Sequence, residues 1–416
     1  MANSVLTYGL IAKRAVQVLE NNLVFANQVY RGYEAEYSRN VNGYKPGATI
    51  TVRRPAEFVV NEGPVVTIQD AAEGSVQITV DKQVNIGMNF TSKDMTLDIT
   101  DFSERFIEPA MIQMAQHIDK VTSTLTADIP NWVGTPGNVL SNFASFSAAT
   151  QRLDDTAIGS SPRKGILSPA DARGLQSNLT GPQSLFAPDM VANVYKNGAI
   201  PPVDGVETFK TQNYWLQTTG SRTSPAALNG GTLATTWAAS KDTNTMTITM
   251  SGLGANGTIK KGEVLAITGV FDVNPRSGQV LPYAKQFTVV SDVMADGGGA
   301  AQVTISPALI PVGAPGAHWN ASNAAAANAV VTFVGAQNSQ YVNNVVFNQN
   351  AFALVMVPLE KPEGGLAKVA RMSHKGVNVR VLSFYDGVND NNIWRFDCLF
   401  GVKTIDPRQA VRLSGT

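Results

Sequence analysis

Three histidines and one cysteine are the whole stock of imidazole and thiolate ligands for zinc in this 416-residue chain. His117, His318 and His374 never stand at i, i+3 or i+4 from one another, and Cys398 is alone, so no zinc-ligand spacing exists. His117 is expected on the wet side of a helix. His318, beside Trp319 in a loop, and His374, beside Lys375, are expected at the surface. Gly252, Gly254 and Gly257 match the G-x-G-x-x-G spacing of a dinucleotide loop. That loop must open a helix whose amides hold pyrophosphate, whereas the next residues, TIKKGEVLAITG, read as strand, so a turn between strands is expected. No lysine follows a glycine, which removes the phosphate-binding loop, and no serine has glycine two positions away on both sides. Ser161 and Lys164 form an S-x-x-K pair, but Pro162 lies between them in GSSPRKG. Asp386, Asn389 and Asp390 in YDGVNDNN could offer oxygens to calcium, yet the spacing is not that of a helix-loop-helix calcium site, and a hairpin turn explains the same residues. No catalytic residue, metal site or cofactor is expected.

Composition agrees with a chain that does no such chemistry. Hydrophobic residues make up 44% and charged residues 15%, well away from the signature of disorder, and the length implies two or three compact regions. Thirty-two basic residues balance thirty-two acidic ones, so no global field gathers nucleic acid by counterion release. A single cysteine excludes an intrachain disulfide. The opening MANSVLTYGL has neither the basic nor the continuous apolar part of a secretion signal, so cytoplasmic synthesis is expected. The apolar run Ala351 to Val357 is about a third of a bilayer span, ends at Pro358 and reads as a buried strand, so no membrane association is expected.

The elements that would position these residues follow from periodicity. Leu10, Ile11, Val18 and Leu19 keep helical spacing near the start. From Gly43 to Phe90 the period falls to two, through ATITV and then Val76, Ile78, Val80, Val84, Ile86, Met88 and Phe90, which reads as one extended hairpin arm. Its tip, NEGPVVTIQDAAEG, is rich in turn residues. Asp101 and Glu104 fit a capping box. Pro109 suits the first turn of a new helix carried on by Met111, Met114, Ile118, Val121 and Leu125, ending before Pro130. Short helices at Ser141 to Arg152 and Ser168 to Leu179 make residues 131–205 mixed in class. Residues 206–338 then switch to closely spaced strands (TMTITM, EVLAITGV, KQFTVV, AQVTI, VVTFV), the pattern of an inserted barrel or sandwich. AFALVMV, VNVRVLSFY and IWRFDCLFGV return to buried strands that are expected to pair with the mixed region before the insertion.

This order of parts resembles the tailed-phage capsid fold first described in phage HK ninety-seven, and more narrowly the branch typified by the coat protein of phage P twenty-two. TIKKGEVLAITGVFDVNPRSGQVLPYAKQFTVVSD, residues 258–292, is similar to that family's inserted domain, with its Lys-Gly-acidic turn, Gly-Val strand end and Gln-Phe strand. SPADARGL with YKNGAIPPVDGVETFKT resembles the approach to it, and FDCLFGVKTIDPRQAVRL the final strand and exit. The resemblance covers nearly the whole chain.

It implies an α+β capsid fold with a long β-hairpin arm, a spine helix and an inserted all-β barrel. The expected division is an N-terminal segment 1–42, arm 43–98, spine helix 99–130, axial domain 131–205, inserted barrel 206–338, and a second axial and peripheral part 339–416. The function implied is that of a major capsid protein, made and assembled in the host cytoplasm into an icosahedral virion shell of pentamers and hexamers. Its partners would be identical subunits, a scaffolding protein, a portal, and enclosed DNA held without sequence preference. Arg53, Arg54, Glu62, Asp70 and Glu73 on the arm, and Arg222, the charged residue of the loop Thr218 to Thr236, are the expected intersubunit contacts. A different class remains open: Trp215, Trp237 and Trp319 could stack on sugars in a carbohydrate-binding or carbohydrate-acting protein. A tail or decoration protein of the virion is the other alternative.

Overall fold

The computed structural model describes residues 8–38, 47–56, 58, 60, 64, 66, 68, 73–91, 103–160, 162–179, 194, 196–198, 200–315, 318–362 and 367–416. Asp101 of the expected capping box lies outside them. The chain forms two compact units, each discontinuous in sequence.

The first unit comprises residues 1–50, 77–123 and 352–403. Its spine is the helix Glu108–Ser123, preceded by a single π-type turn, Ser103–Ile107. Pro109 is tolerated because the first-turn amides of a helix have no intrahelical acceptor. Ala110, Met111, Met114, Ala115 and Ile118 are buried at helical spacing while Gln113, His117 and Lys120 are exposed, the pattern of a helix laid against a core along one stripe. The N-terminal helix Tyr8–Asn22 buries Ile11, Ala12, Ala15, Val16, Val18 and Leu19 in the same way. An antiparallel sheet runs in the order Phe352–Val357, Asn391–Thr404, Val377–Asp386, Ala367–His374, and the strand Lys82–Thr91 also pairs along 391–404. Val84 lies opposite Cys398 and Phe90 opposite Asn392.

Two sequence expectations change here. The alternation from Val76 to Phe90 is two strands, not one. Ser75–Thr79 pairs with Thr49–Arg53, whereas 82–91 leaves the arm for the sheet beside 391–404. A change of partner does not disturb the pleat, so the period of two continues across the break. The late strands 352–357, 377–386 and 391–404 likewise pair with one another and with 82–91, not with the mixed region before the insertion.

The second unit comprises residues 51–76, 124–351 and 404–416. Its mixed sheet runs Trp132–Val133, Ala410–Leu413, Gln340–Asn348, Arg163–Leu167, Val206–Lys210, and Trp215–Thr218 pairs further along 340–348. Helices Phe143–Asp155 and Pro169–Leu179 cover it. Leu140, Phe146, Leu153, Leu167, Leu175, Val346 and Val411 share its core. Asn142 caps the first helix by accepting from the Ser145 amide at 2.7 Å, and Ser168 and Asp171 cap the second.

Between Thr218 and Gln340 the chain makes a closed six-stranded barrel in the order Val264–Val273, Val280–Val289, Ala301–Ser306, Met246–Ser251, Ala226–Leu228, Val330–Phe333. Closure removes sheet edges, and the inward residues, among them Ile248, Met250, Leu265, Phe287, Val303 and Val331, make a core of their own. Gly252 and Gly254 take φ of +79° and +83° in the turn after 246–251, and a short strand, Thr258–Ile259, follows. The dinucleotide spacing is therefore a turn between strands.

Candidate assembly surface

The arm presents apolar side chains to solvent. Phe58 is 61% exposed, Val60 88%, Val66 85% and Ile68 91%. Single exposed hydrophobics are ordinary, but four within residues 58–68 make that segment a candidate interaction surface. Below them the arm's root closes with the Arg54 amide donating to the Gly74 carbonyl at 2.7 Å.

Of the six charged residues expected at contacts, Arg53 and Glu73 face each other on the arm at 3.4 Å with side chains 82% and 49% exposed, a pair that solvent screens to little net energy. Arg54 is turned inward, and its guanidinium donates twice to the Ile405 carbonyl at 3.1 and 2.8 Å. Burial lowers its pKa, against the raising effect of Asp406. Glu62 and Asp70 lie outside the described residues.

Arg222 is a correction. It is 1% exposed, its Nε donates to Glu263 Oε2, and its guanidinium lies 4.0 Å from the Phe333 ring centroid. A charge in a Thr-rich loop reads as surface, but here a buried carboxylate waits for it. Glu263 Oε1 also accepts from the Gly220 amide at 2.7 Å and the Lys260 amide at 2.8 Å. The Lys261-Gly262-Glu263 turn is thus the knot that ties the barrel's opening loop to its longest hairpin. Gly262, at φ +85°, is needed because a Cβ there would lie 2.9 Å from the Ala127 Cβ.

His318 is a second correction. It is 7% exposed and stacked on Trp237 with ring centroids 3.7 Å apart and an interplanar angle of 18°. His117 and His374 are exposed. Trp319 donates to the Ala314 carbonyl at 2.8 Å, and Trp215 sits in the mixed sheet opposite Asn343. The three tryptophans therefore share no sugar-stacking face. The Asp386 carboxylate accepts from the Val388 amide and the Asn389 side chain, and Asp390 accepts from the Tyr385 hydroxyl, so these oxygens hold the hairpin turn. Among the described residues no group of three or more His, Cys, Asp or Glu could hold a metal ion. Lys164 of the S-x-x-K pair is ion-paired with Glu207, and Ser161 lies outside the described residues.

A depression of about 500 Å³ in the first unit is lined by Arg14, Gln17, Glu20, Glu108, His374 and Lys375. Its charges are already matched, Arg14 to Glu108 and Lys375 to Glu20. Below it, the buried Asp119 accepts from the amides of Val24 at 2.8 Å and Ala26 at 2.9 Å, which pins the segment after the N-terminal helix to the spine. Burial raises this carboxyl's pKa although those amides pull it down. Nothing local distinguishes Asp119 in the sequence except its place beside Ile118 on the apolar stripe.

The family model described as P22 coat protein, gene protein 5, matches residues 1–415. The chain belongs to this coat-protein family. The coat protein is accordingly a major capsid protein of a tailed bacteriophage, a structural component of the virion shell and not an enzyme. Among solved structures, a Mycobacterium phage Che8 chain covers 95% of the coat protein and 92% of its own length at 12% identity and TM-score 0.50, which shows the shared fold. A capsid chain of the cyanophage P-SCSP1u covers 89% and 84% at 11% identity and TM-score 0.43. The CUS-3 coat protein I-domain covers 27% of the coat protein and 96% of itself at 24% identity and TM-score 0.21. No curated protein matches the chain. No helix among the described residues is long and apolar enough to cross a membrane.

Proposed function

We propose that the coat protein closes its shell as pentamers and hexamers through the arm, whose apolar side chains lie over a neighbouring subunit. The observation that carries this reading is the solvent exposure of Phe58, Val60, Val66 and Ile68, at 61–91%. Each such side chain contributes about 1.5–3 kcal/mol when fully covered, and closed symmetry repeats the contact at every subunit. Arg53 and Glu73 are placed to set the register of that contact, not its strength. A scaffolding protein and a portal act during assembly in the host cytoplasm, and the packaged DNA is enclosed without sequence-specific binding, in keeping with a net charge of zero.

The test replaces Phe58, Val60, Val66 and Ile68 together by serine and images the expressed full-length protein by electron microscopy. Soluble, folded subunits with few or no closed shells are expected. Normal shells at normal yield would overturn the reading.

A further inference from the structure

At the root of the arm, within the second unit, three contacts converge on Arg54, Gly74 and Ser75. Beyond the rung from Arg54 to Gly74, Ser75 donates both its amide, at 3.1 Å, and its hydroxyl, at 2.7 Å, to the same carboxylate oxygen, Asp242 Oδ1. Asp242 stands two residues after the short barrel helix Trp237–Ser240. Gly74 approaches the same place so closely that a Cβ on it would lie 2.5 Å from the Lys241 carbonyl oxygen and 3.1 Å from the Trp237 ring. Its φ is not positive, so the glycine is there for proximity and not for a turn. Trp237 is in turn backed by the stacked His318. On the opposite strand, the double donation from Arg54 to the Ile405 carbonyl grips the root from the C-terminal segment, and the Ile405 amide is itself held by the Ala351 carbonyl at 2.8 Å. The residues that follow outward from Arg54 carry the exposed apolar side chains.

We infer that the inserted barrel is the rest on which the arm is aimed: Asp242 and the Lys241 carbonyl fix the root at Ser75 and Gly74, and so set the direction in which the arm leaves the subunit for the next copy. Asp242, Ser75 and Gly74 are positioning residues for shell closure, not contact residues. The inference rests on the reading of the arm as the intersubunit contact. A rigid root converts into closure because the same small error in aim is repeated around every ring. A free root leaves the arm's apolar face intact but sweeps it through many directions, so each correct contact must first be found.

The experiment uses full-length protein carrying Asp242→Ala, Asp242→Asn, Ser75→Thr or Gly74→Ala, beside the fourfold serine variant of the arm. Closed particles are counted by electron microscopy, the melting temperature of the subunit is measured, and amide hydrogen exchange is read at Arg54 and Ser75. Asp242→Ala is expected to leave the melting temperature nearly unchanged, to speed exchange at both amides, and to lower the yield of closed shells roughly tenfold in favour of open or irregular sheets, since small per-subunit losses multiply in a closed assembly. Asp242→Asn and Ser75→Thr keep the oxygen and the donors and are expected to restore the yield, whereas Gly74→Ala is expected to behave like Asp242→Ala. Normal shell yield from Asp242→Ala, with the serine variant failing to close, overturns the inference and leaves the arm reading standing. Normal shells from both overturn the arm reading and this inference with it. A yield loss that follows a matching drop in melting temperature, without rescue by Asp242→Asn, also overturns the inference.

Discussion

Glu263 takes three donors with two oxygens: the amides of Gly220 and Lys260 and the guanidinium of Arg222. Arg222 and Glu263 are 1% and 0% exposed, so removing one partner strands a desolvated charge. Glu263→Ala is expected to destabilise the protein by about 3–5 kcal/mol in urea unfolding, and Glu263→Gln by less, because the amide oxygen still serves a backbone donor. Replacing both residues, as Arg222→Met with Glu263→Leu, should recover the part due to the stranded arginine but not the part due to the two amides. The sequence showed the Lys-Gly-acidic pattern but not its reason. The arginine lies 41 positions away, and local composition makes it look wet. The burial of His318 is hidden on the same ground, since its stack on Trp237 depends on a loop meeting the short helix Trp237–Ser240, far away in sequence.

Asp406 gives a pH signature. Burial works against its charge, but Arg408, with help from Arg54, holds its pKa at about 2, below the ordinary 3.8. A carboxylate depressed in the folded state adds stability that is complete above the unfolded value and is lost as pH falls through the folded one. Between roughly pH 5 and pH 2 the protein should therefore lose about 2 kcal/mol through this group. Asp406→Asn should flatten that limb of the urea midpoint plotted against pH, while stability of the wild type stays higher above pH 5.

At the scale of elements, periodicity located most helices and strands but not their partners. The helix starting at Glu108 was legible because Pro109 and the methionine stripe act locally. The arm was only half legible, because the alternation of Lys82–Thr91 is the same whether it pairs within a hairpin or with 391–404. The barrel's attachment to the mixed sheet had no sequence signal at all. There, Gln286 accepts from the Trp132 amide at 2.7 Å and donates to the Trp132 carbonyl at 3.0 Å, Thr288 donates to the Ala127 carbonyl at 2.9 Å, and the fully buried Arg412 donates to the carbonyls of Gly262 and Ala127 at 2.6 and 2.8 Å. These side chains stand in for the backbone ladder that a closed barrel cannot extend. Gln286→Leu keeps the volume but orphans both Trp132 groups, and is expected to cost about 2 kcal/mol or more in thermal or urea unfolding. Recovery of full stability by that variant would place the attachment elsewhere.

At the scale of the whole molecule, the balance of thirty-two positive and thirty-two negative charges leaves copies of the chain with little reason to repel. Sequence reached the broad fold and its role in a shell through the order of parts and the 258–292 motif. It could not tell Arg53 from Arg222, because the features that distinguish them are exposure and pairing, which only the folded chain possesses. Trp215–Thr218 and Gln340–Asn348 pair with each other, and Thr218 stands directly opposite Gln340. The polypeptide thus departs for its excursion and comes home at the same rung of one ladder. A foreign module with neighbouring termini could be spliced at that doorway without shifting the register of the host sheet, which makes the site a natural port for displaying cargo on a particle of this kind.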